Sequence, residues 1–241
     1  MSAMNPLHLA PLVFVLLIGR AQADDSMDSD RVKDALRDMG RTSTWYHDDL
    51  TGEYLGFKYY AQKRYPEALH YFELGAYYAD KPSQISIGLM YLKGEGVEAT
   101  PVTALAWLEL AAERGYPTYV ATRDRLRAKL KPQQISQAAE LREQLAMKYG
   151  DAVAKPRLAA ELASGLRRQT GSRAGFDTGV QILFLEAIDP HHRGPPSLLD
   201  ARTPCPGGFW VQECWRPELY FAMRDKQLNG TVEVGAVQEQ R

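Results

Sequence analysis

Apolar residues keep helical spacing through most of residues 32–168 and lose it afterwards. The pattern is sharpest over residues 84–119. Gly88, Leu89 and Tyr91 fall on one face of a first helix. Gly94 and Gly96 interrupt it, glycine being the residue that leaves a helix through positive φ at no steric cost. Thr100 stands at an N-cap position with Pro101 at the first helical one, where a missing N–H is harmless. Ala104, Leu105, Trp107, Leu108, Ala111 and Ala112 follow as a buried face that Gly115 closes. Such a pair cannot bury its stripe alone, which predicts neighbours of the same kind.

Upstream, Val32, Ala35, Leu36 and Met39 mark a weak stripe after Ser29, and residues 42–51 form a polar connection. Helical spacing resumes over 52–62 through Tyr54, Leu55, Tyr59 and Ala61, and Pro66 opens a helix that ends near Asp80. Shifting the chain by 36 residues lays Ala68 on Ala104, Leu69 on Leu105, Tyr71 on Trp107, Phe72 on Leu108, Leu74 on Leu110 and Ala76 on Ala112. A whole helix face recurs, which is the signature of a repeat. Downstream, Pro117, Pro132 and Pro156 each start a predicted helix, the last running to about Arg168, and together these read as the polar-faced cap of a short array. From Gly171 onward, glycines and prolines predict no long helix. Short strands are expected over 180–188, 209–211 and 230–234, with one or two helical turns over 217–224.

The segment GLMYLKGEGVEATPVTALAWLELAAERG resembles a Sel-one-like repeat, a relative of the tetratricopeptide repeat. That motif pairs a Gly-x-x-Tyr helix with a Gly-x-Gly-Val loop and an Ala-x-x-Trp helix ending in Ala-Ala-Glu-x-Gly. The matching positions are Gly88, Tyr91, Gly94, Gly96, Val97, Ala104, Trp107, Ala111, Ala112, Glu113 and Gly115. The preceding unit, over about 52–80, has a shorter loop without Gly-x-Gly-Val and resembles a plain tetratricopeptide unit. The resemblance covers roughly residues 50–120. It implies a mainly α fold, a short right-handed α/α solenoid of antiparallel helix pairs, and a protein or peptide as partner. Gly88, Tyr91, Gly94, Gly96, Ala104, Trp107, Ala112 and Gly115 then have structural roles. Tyr54, Tyr59 and Tyr60 on the first helices are the candidate partner face.

Composition adds an address. Residues 7–18 are an apolar run of 12, too short to span a bilayer comfortably, followed by Ala21-Gln22-Ala23 and then Asp24-Asp25. We read residues 1–23 as a signal peptide cleaved after Ala23, with an uncleaved anchor as the competing reading. The expected mature protein is periplasmic or secreted and has no membrane span. Residues 24–170 are the expected helical domain, with caps over about 117–168. Residues 171–241 are a Gly/Pro-rich segment packed on it, since about 70 residues with one staple make a marginal domain. Cys205 and Cys214 are the only cysteines, and outside the cytoplasm such a pair reads as a disulfide contributing about 2–3 kcal/mol at best. Free buried thiols, or a zinc site with His191 and His192, are the alternatives.

The formal net charge is −1 among 241 residues, so no global excess points to nucleic acid. Residues 116–173 are nonetheless basic, with 12 Lys and Arg against 5 Asp and Glu. Their block of Arg123, Arg125, Arg127, Lys129 and Lys131 either faces an acidic partner or neutralises the acidic repeats. Candidate chemistry is sparse. Asp48, Asp49 and Glu53 read as acids at a helix N-terminus, where the dipole favours them. His191 and His192 read as solvated loop residues and His70 as a surface residue. No nucleophile elbow or phosphate-cradling glycine loop occurs. No cofactor, metal or catalytic residue is expected. The leading reading is an exported adaptor or scaffold of the bacterial cell envelope. The alternatives are an envelope enzyme with its site among Asp189, His191, His192 and Glu213, or a structural subunit of an envelope assembly.

Overall fold

The computed structural model describes Leu36, residues 44–169 and residues 212–229. Its helices, in chain order, are α1 (Asp48–Ala61), α2 (Tyr65–Tyr77), α3 (Lys81–Lys93), α4 (Pro101–Ala111), α5 (Pro117–Arg127), α6 (Pro132–Tyr149), α7 (Asp151–Gln169), α8 (Gln212–Trp215) and α9 (Pro217–Asn229), with a 3-10 turn at Ala112–Arg114 between α4 and α5. There is no strand among the described residues. The strands expected over 180–188, 209–211 and 230–234 lie outside them, as does the expected signal peptide. Among the described residues no helix is long and apolar enough to cross a membrane.

Helix pairs form because each helix is apolar on one side and is stopped sharply. Proline occupies the first turn of α2, α3, α4, α5 and α6. Three helices end alike, on a left-handed residue: Lys63 (φ 58°) after α1, Ala79 (φ 66°) after α2 and Gly94 (φ 76°) after α3. In each case the next N–H reaches back to a carbonyl of the last turn, Arg64 to Tyr59, Asp80 to Gly75 and Glu95 to Met90, all at 3.0 Å. Only the third of these positions is a glycine, so the first two turns gave no glycine signal. Thr100 does precede α4, but its hydroxyl donates to the Glu98 carbonyl at 3.2 Å instead of capping the helix.

α1 packs on α2, α2 on α3, α3 on α4 and α4 on α6. At the α1–α2 crossing the backbones nearly touch: a Cβ on Gly52 would lie 2.2 Å from the Gly75 nitrogen, and one on Gly56 would lie 2.3 Å from the Phe72 ring. The 36-residue repeat is visible as matching burial: Ala68 and Ala104, Phe72 and Leu108, and Ala76 and Ala112 all lie in one core. Trp107 is buried against Tyr149 at 4.8 Å, whereas its counterpart Tyr71 is only half-buried. Gly88 lets Leu108 come close, and Gly96 (φ 76°) lets its loop rest against Tyr65. Ala104 and Ala112 are buried, and Tyr91 is half-buried against the same core. Leu36 also packs there.

Past α6 the chain departs from expectation. α7 starts at Asp151, with only Gly150 between it and α6, and carries Pro156 inside it instead of at its start. It does not stack as another repeat. It runs back along the junctions between helix pairs, from Arg114 near its start, past Tyr77 and Tyr78, to Tyr46 near its end. Gly165 gives room there: a Cβ on it would meet Trp215 at 2.4 Å and Tyr46 at 2.7 Å. The tail adds a second correction. Instead of one or two turns, α9 has 13 residues, starting on Pro217 and ending just before Gly230. It packs beside α7 through Tyr220, Leu158 and Leu162.

Candidate functional site

The edge along which α7 and α9 lie holds most of the buried charge. Asp49 and Glu53 sit one turn apart on α1, so both project to the same side. Asp80 precedes α3 and caps it, accepting from the Ser83 N–H at 2.8 Å and the Ser83 hydroxyl at 2.6 Å. Into this group α9 inserts Arg224, whose Nη2 donates to Glu53 Oε2 at 2.6 Å and Asp80 Oδ1 at 2.9 Å. One turn earlier, the Tyr220 hydroxyl donates to Asp49 Oδ2. His47 lies behind, its Nδ1 4.0 Å from Asp49 Oδ1 and its ring against Trp215 and Tyr220.

A second cluster adjoins the first. Lys81, fully buried, donates to Gln84 Oε1, the Leu110 carbonyl and Glu113 Oε2 at 3.0, 3.0 and 2.8 Å, and lies 3.0 Å from Asp151 Oδ1. Arg114 holds Asp151 in a two-pronged contact at 2.7 and 3.0 Å, donates to the Ala79 carbonyl at 2.9 Å, and reaches Asp225 of α9 at 3.3 Å. The Tyr116 hydroxyl also donates to Asp225. Asp151 is thereby the anchor that starts α7 where it does. Burial pushes its carboxyl up, but the Arg114 hydrogen bonds and the charges of Lys81 and Arg114 win and hold it well below the usual carboxylate range.

In the first cluster burial wins. It raises the Asp49 and Glu53 carboxyls to about 7, against the opposing pull of Arg224, and lowers His47 to about 3 with Arg224 assisting. The charged and titratable groups facing them are Asp80 from α3, Tyr119 from α5, and Tyr220 and Arg224 from α9. Folded Asp49 and Glu53 therefore bind more protons than the unfolded chain between about pH 4 and 7. Their contribution is full below the unfolded values and is lost as pH rises through about 7. His47 acts oppositely: its contribution is present above 6.5 and lost as pH falls toward about 3. Two carboxyls outweigh one imidazole, so stability should fall from pH 5 to pH 7.5, by about 1.4 kcal/mol per unit at the steepest. Urea unfolding midpoints check this: the midpoint at pH 5 should be the higher, and Asp49→Asn should flatten the difference. A flat or rising profile contradicts it.

Several expected site residues fall elsewhere. Asp48 is half-exposed in the first turn of α1, as an acid serving the dipole would be, but Asp49 and Glu53 are 2% exposed and serve Arg224 and Tyr220 instead. Nothing in the local sequence indicates this, because their partners lie 171 residues away. Tyr60 is not on an open face. It is buried, donating to Glu95 Oε2 at 2.6 Å and accepting from Lys93 at 3.1 Å, so it ties α1 to the loop after α3. Tyr59 and Tyr54 are half-buried; Tyr59 stacks on Tyr71 at 5.2 Å with Arg64 over its ring, and Lys58 lies near Tyr54. His70 is exposed beside Tyr71. In the basic block, Arg127 reaches Glu109 at 3.5 Å and Arg123 pairs with Asp124, while Arg125, Lys129 and Lys131 are exposed. Glu213 is exposed and Cys214 is buried beside Trp215. Cys205, Asp189, His191 and His192 lie outside the described residues.

No protein-family model matches the chain, and no curated protein matches it. Among solved structures it is similar to the crystal structure of a protective antigen present in uropathogenic Escherichia coli strains, described as displaying an SLR fold. The two are 17% identical, with a TM-score of 0.36, over 61% of this chain and 38% of that one. This chain therefore spans well under half the length of that protein. The repeat character rests on the helix pairs themselves. In the second pair Gly94, Gly96 and Gly115 are all left-handed and Trp107 is buried.

Proposed function

We propose that this chain is a non-catalytic protein-protein adaptor or scaffold, exported to the periplasm or beyond in the bacterial cell envelope. The observation that carries the reading is the outward aromatic surface of the first helix pair. Tyr59 and Tyr71 stack there with Arg64, beside Tyr54, Lys58 and exposed His70. Aromatic rings with arginine are the residue types that anchor protein contacts. Tyr54, Tyr59 and Tyr71 are half-buried, whereas Trp107, which matches Tyr71 in the second pair, is buried. The partner is a protein or peptide and not nucleic acid. Residues 1–23 as a cleaved signal peptide, residues 171–241 as a segment accompanying the helical domain, and a disulfide between Cys214 and Cys205 belong to the same reading. Among the described residues no cysteine is free.

Affinity capture from an envelope fraction tests this, comparing the full chain with its Tyr59→Ala/Tyr71→Ala variant. The variant should lose partners while keeping its helical circular dichroism; retention of every partner contradicts the aromatic face. Mass spectrometry of the captured chain should show an N-terminus at Asp24 and no free thiol after denaturation.

A further inference from the structure

The slot between α1, the start of α3 and the start of α5 is built around a cation. Asp49 and Glu53 come from α1 and Asp80 from the N-cap of α3, and all are buried, at 2%, 2% and 4% exposure. Without a guanidinium among them, three desolvated carboxyl groups would face one another, an arrangement that costs several kcal/mol. The array thus presents a hole shaped for an arginine. What fills it is one side of a helix: Tyr220, Arg224 and Leu228, spaced by four and all buried, with Asp225 reaching sideways to Arg114 and Tyr116.

The fit is incomplete. Asp49 Oδ1 is buried and has no hydrogen-bond partner among the described residues, the nearest cation-forming atom being His47 Nδ1 at 4.0 Å. Asp225 sits at the rim with its side chain 36% exposed, and Leu219 on the outer side of α9 is 40% exposed. Resting on the adaptor reading, we propose that this slot recognises an arginine-bearing helix of a partner protein, for which α9 is the resident competitor. The partner helix carries a hydrogen-bond donor one turn before its arginine and an apolar residue one turn after. It supplies the donor to Asp49 Oδ1 that α9 lacks. Because α9 is tethered, its effective concentration is on the order of millimolar, and it masks the slot from weaker ligands in trans.

The probe is a fluorescent peptide with the sequence of residues 212–229, its cysteine replaced by serine, titrated into full-length protein. Asp225→Lys sets a cation against Arg114 at the rim and should release α9 while leaving the acidic slot intact. Arg224→Ala should release it more completely. The peptide should bind both variants at least about 10-fold more tightly than wild type, and a peptide carrying Arg224→Ala should bind none of them. Equal binding to wild type and a helical Asp225→Lys variant, or binding by the arginine-free peptide, overturns the proposal. So does loss of helical circular dichroism in both variants, which makes α9 a structural part. A wild-type dimer that the peptide dissociates overturns it in favour of exchange between copies. Failure of the aromatic-face capture leaves the peptide result intact, so the two readings fail separately.

Discussion

Lys81→Met should lower the unfolding free energy by about 3–5 kcal/mol, read as a fall in the urea midpoint. The methionine matches the lysine stem in length and removes only the ammonium. Three oxygens on the chain then lose the ammonium at once, those of Gln84, Leu110 and Glu113, although Glu113 Oε2 keeps the Asp151 N–H at 3.2 Å. Asp151 loses a cation 3.0 Å away but keeps Arg114, which limits the damage at the start of α7. Burial already lowers the Lys81 pKa, so part of the ammonium's interaction energy is offset by its own desolvation. The leftover is the cost of oxygens buried without partners. Lys81→Met combined with Glu113→Gln should be less than additive, because the amide no longer demands a cation. A change below about 1 kcal/mol for the single variant would mean that water replaces the ammonium.

Gly52→Ala should destabilise by at least about 3 kcal/mol, at the upper end of the range for overpacking. Helix propensity alone gives the opposite sign: alanine in the middle of a helix is favoured over glycine by about 1 kcal/mol. Space decides. A Cβ at this position would lie 2.2 Å from the Gly75 nitrogen, 2.5 Å from its Cα and 2.6 Å from the Tyr71 carbonyl oxygen, all backbone atoms that no rotamer change can move. The α1–α2 crossing must therefore widen, which also draws Asp49 and Glu53 away from Arg224. Gly115→Ala is the control. Its φ is 75° but nothing lies within 4 Å of the added carbon, so only the left-handed conformation is charged, about 1–2 kcal/mol. If thermal unfolding ranks Gly115→Ala as the more damaging, the crossing is looser than described.

Legibility followed the range of the interactions. The helix pairs were readable because each is written locally: prolines at the starts of α4, α5 and α6, glycines at the end of α3, and an apolar face repeated every 36 residues. Pro156 misled because proline marks a helix start only when nothing else anchors one. Here Gly150 ends α6 in an extended conformation, and Asp151 is held at once by Arg114. α9 was underread because no apolar stripe announces it; its anchors are an arginine and a tyrosine whose partners lie at the other end of the chain. The same distance disguised Asp49 and Glu53 as ordinary first-turn acids. The close crossing did have a signal, the Gly52-x-x-x-Gly56 spacing on α1 facing Gly75 on α2, which marks a face stripped of side chains.

The contact of Asp49 and Glu53 with α9 joins residues 171 positions apart. Until α9 docks, both carboxyl groups are hydrated and ionised at neutral pH. Closure of the edge is thus a late event in folding, one that must strip water from groups already settled in it and take up protons at neutral pH. Refolding should show a final slow step that speeds up as pH is lowered, because the closing contact joins residues 171 positions apart.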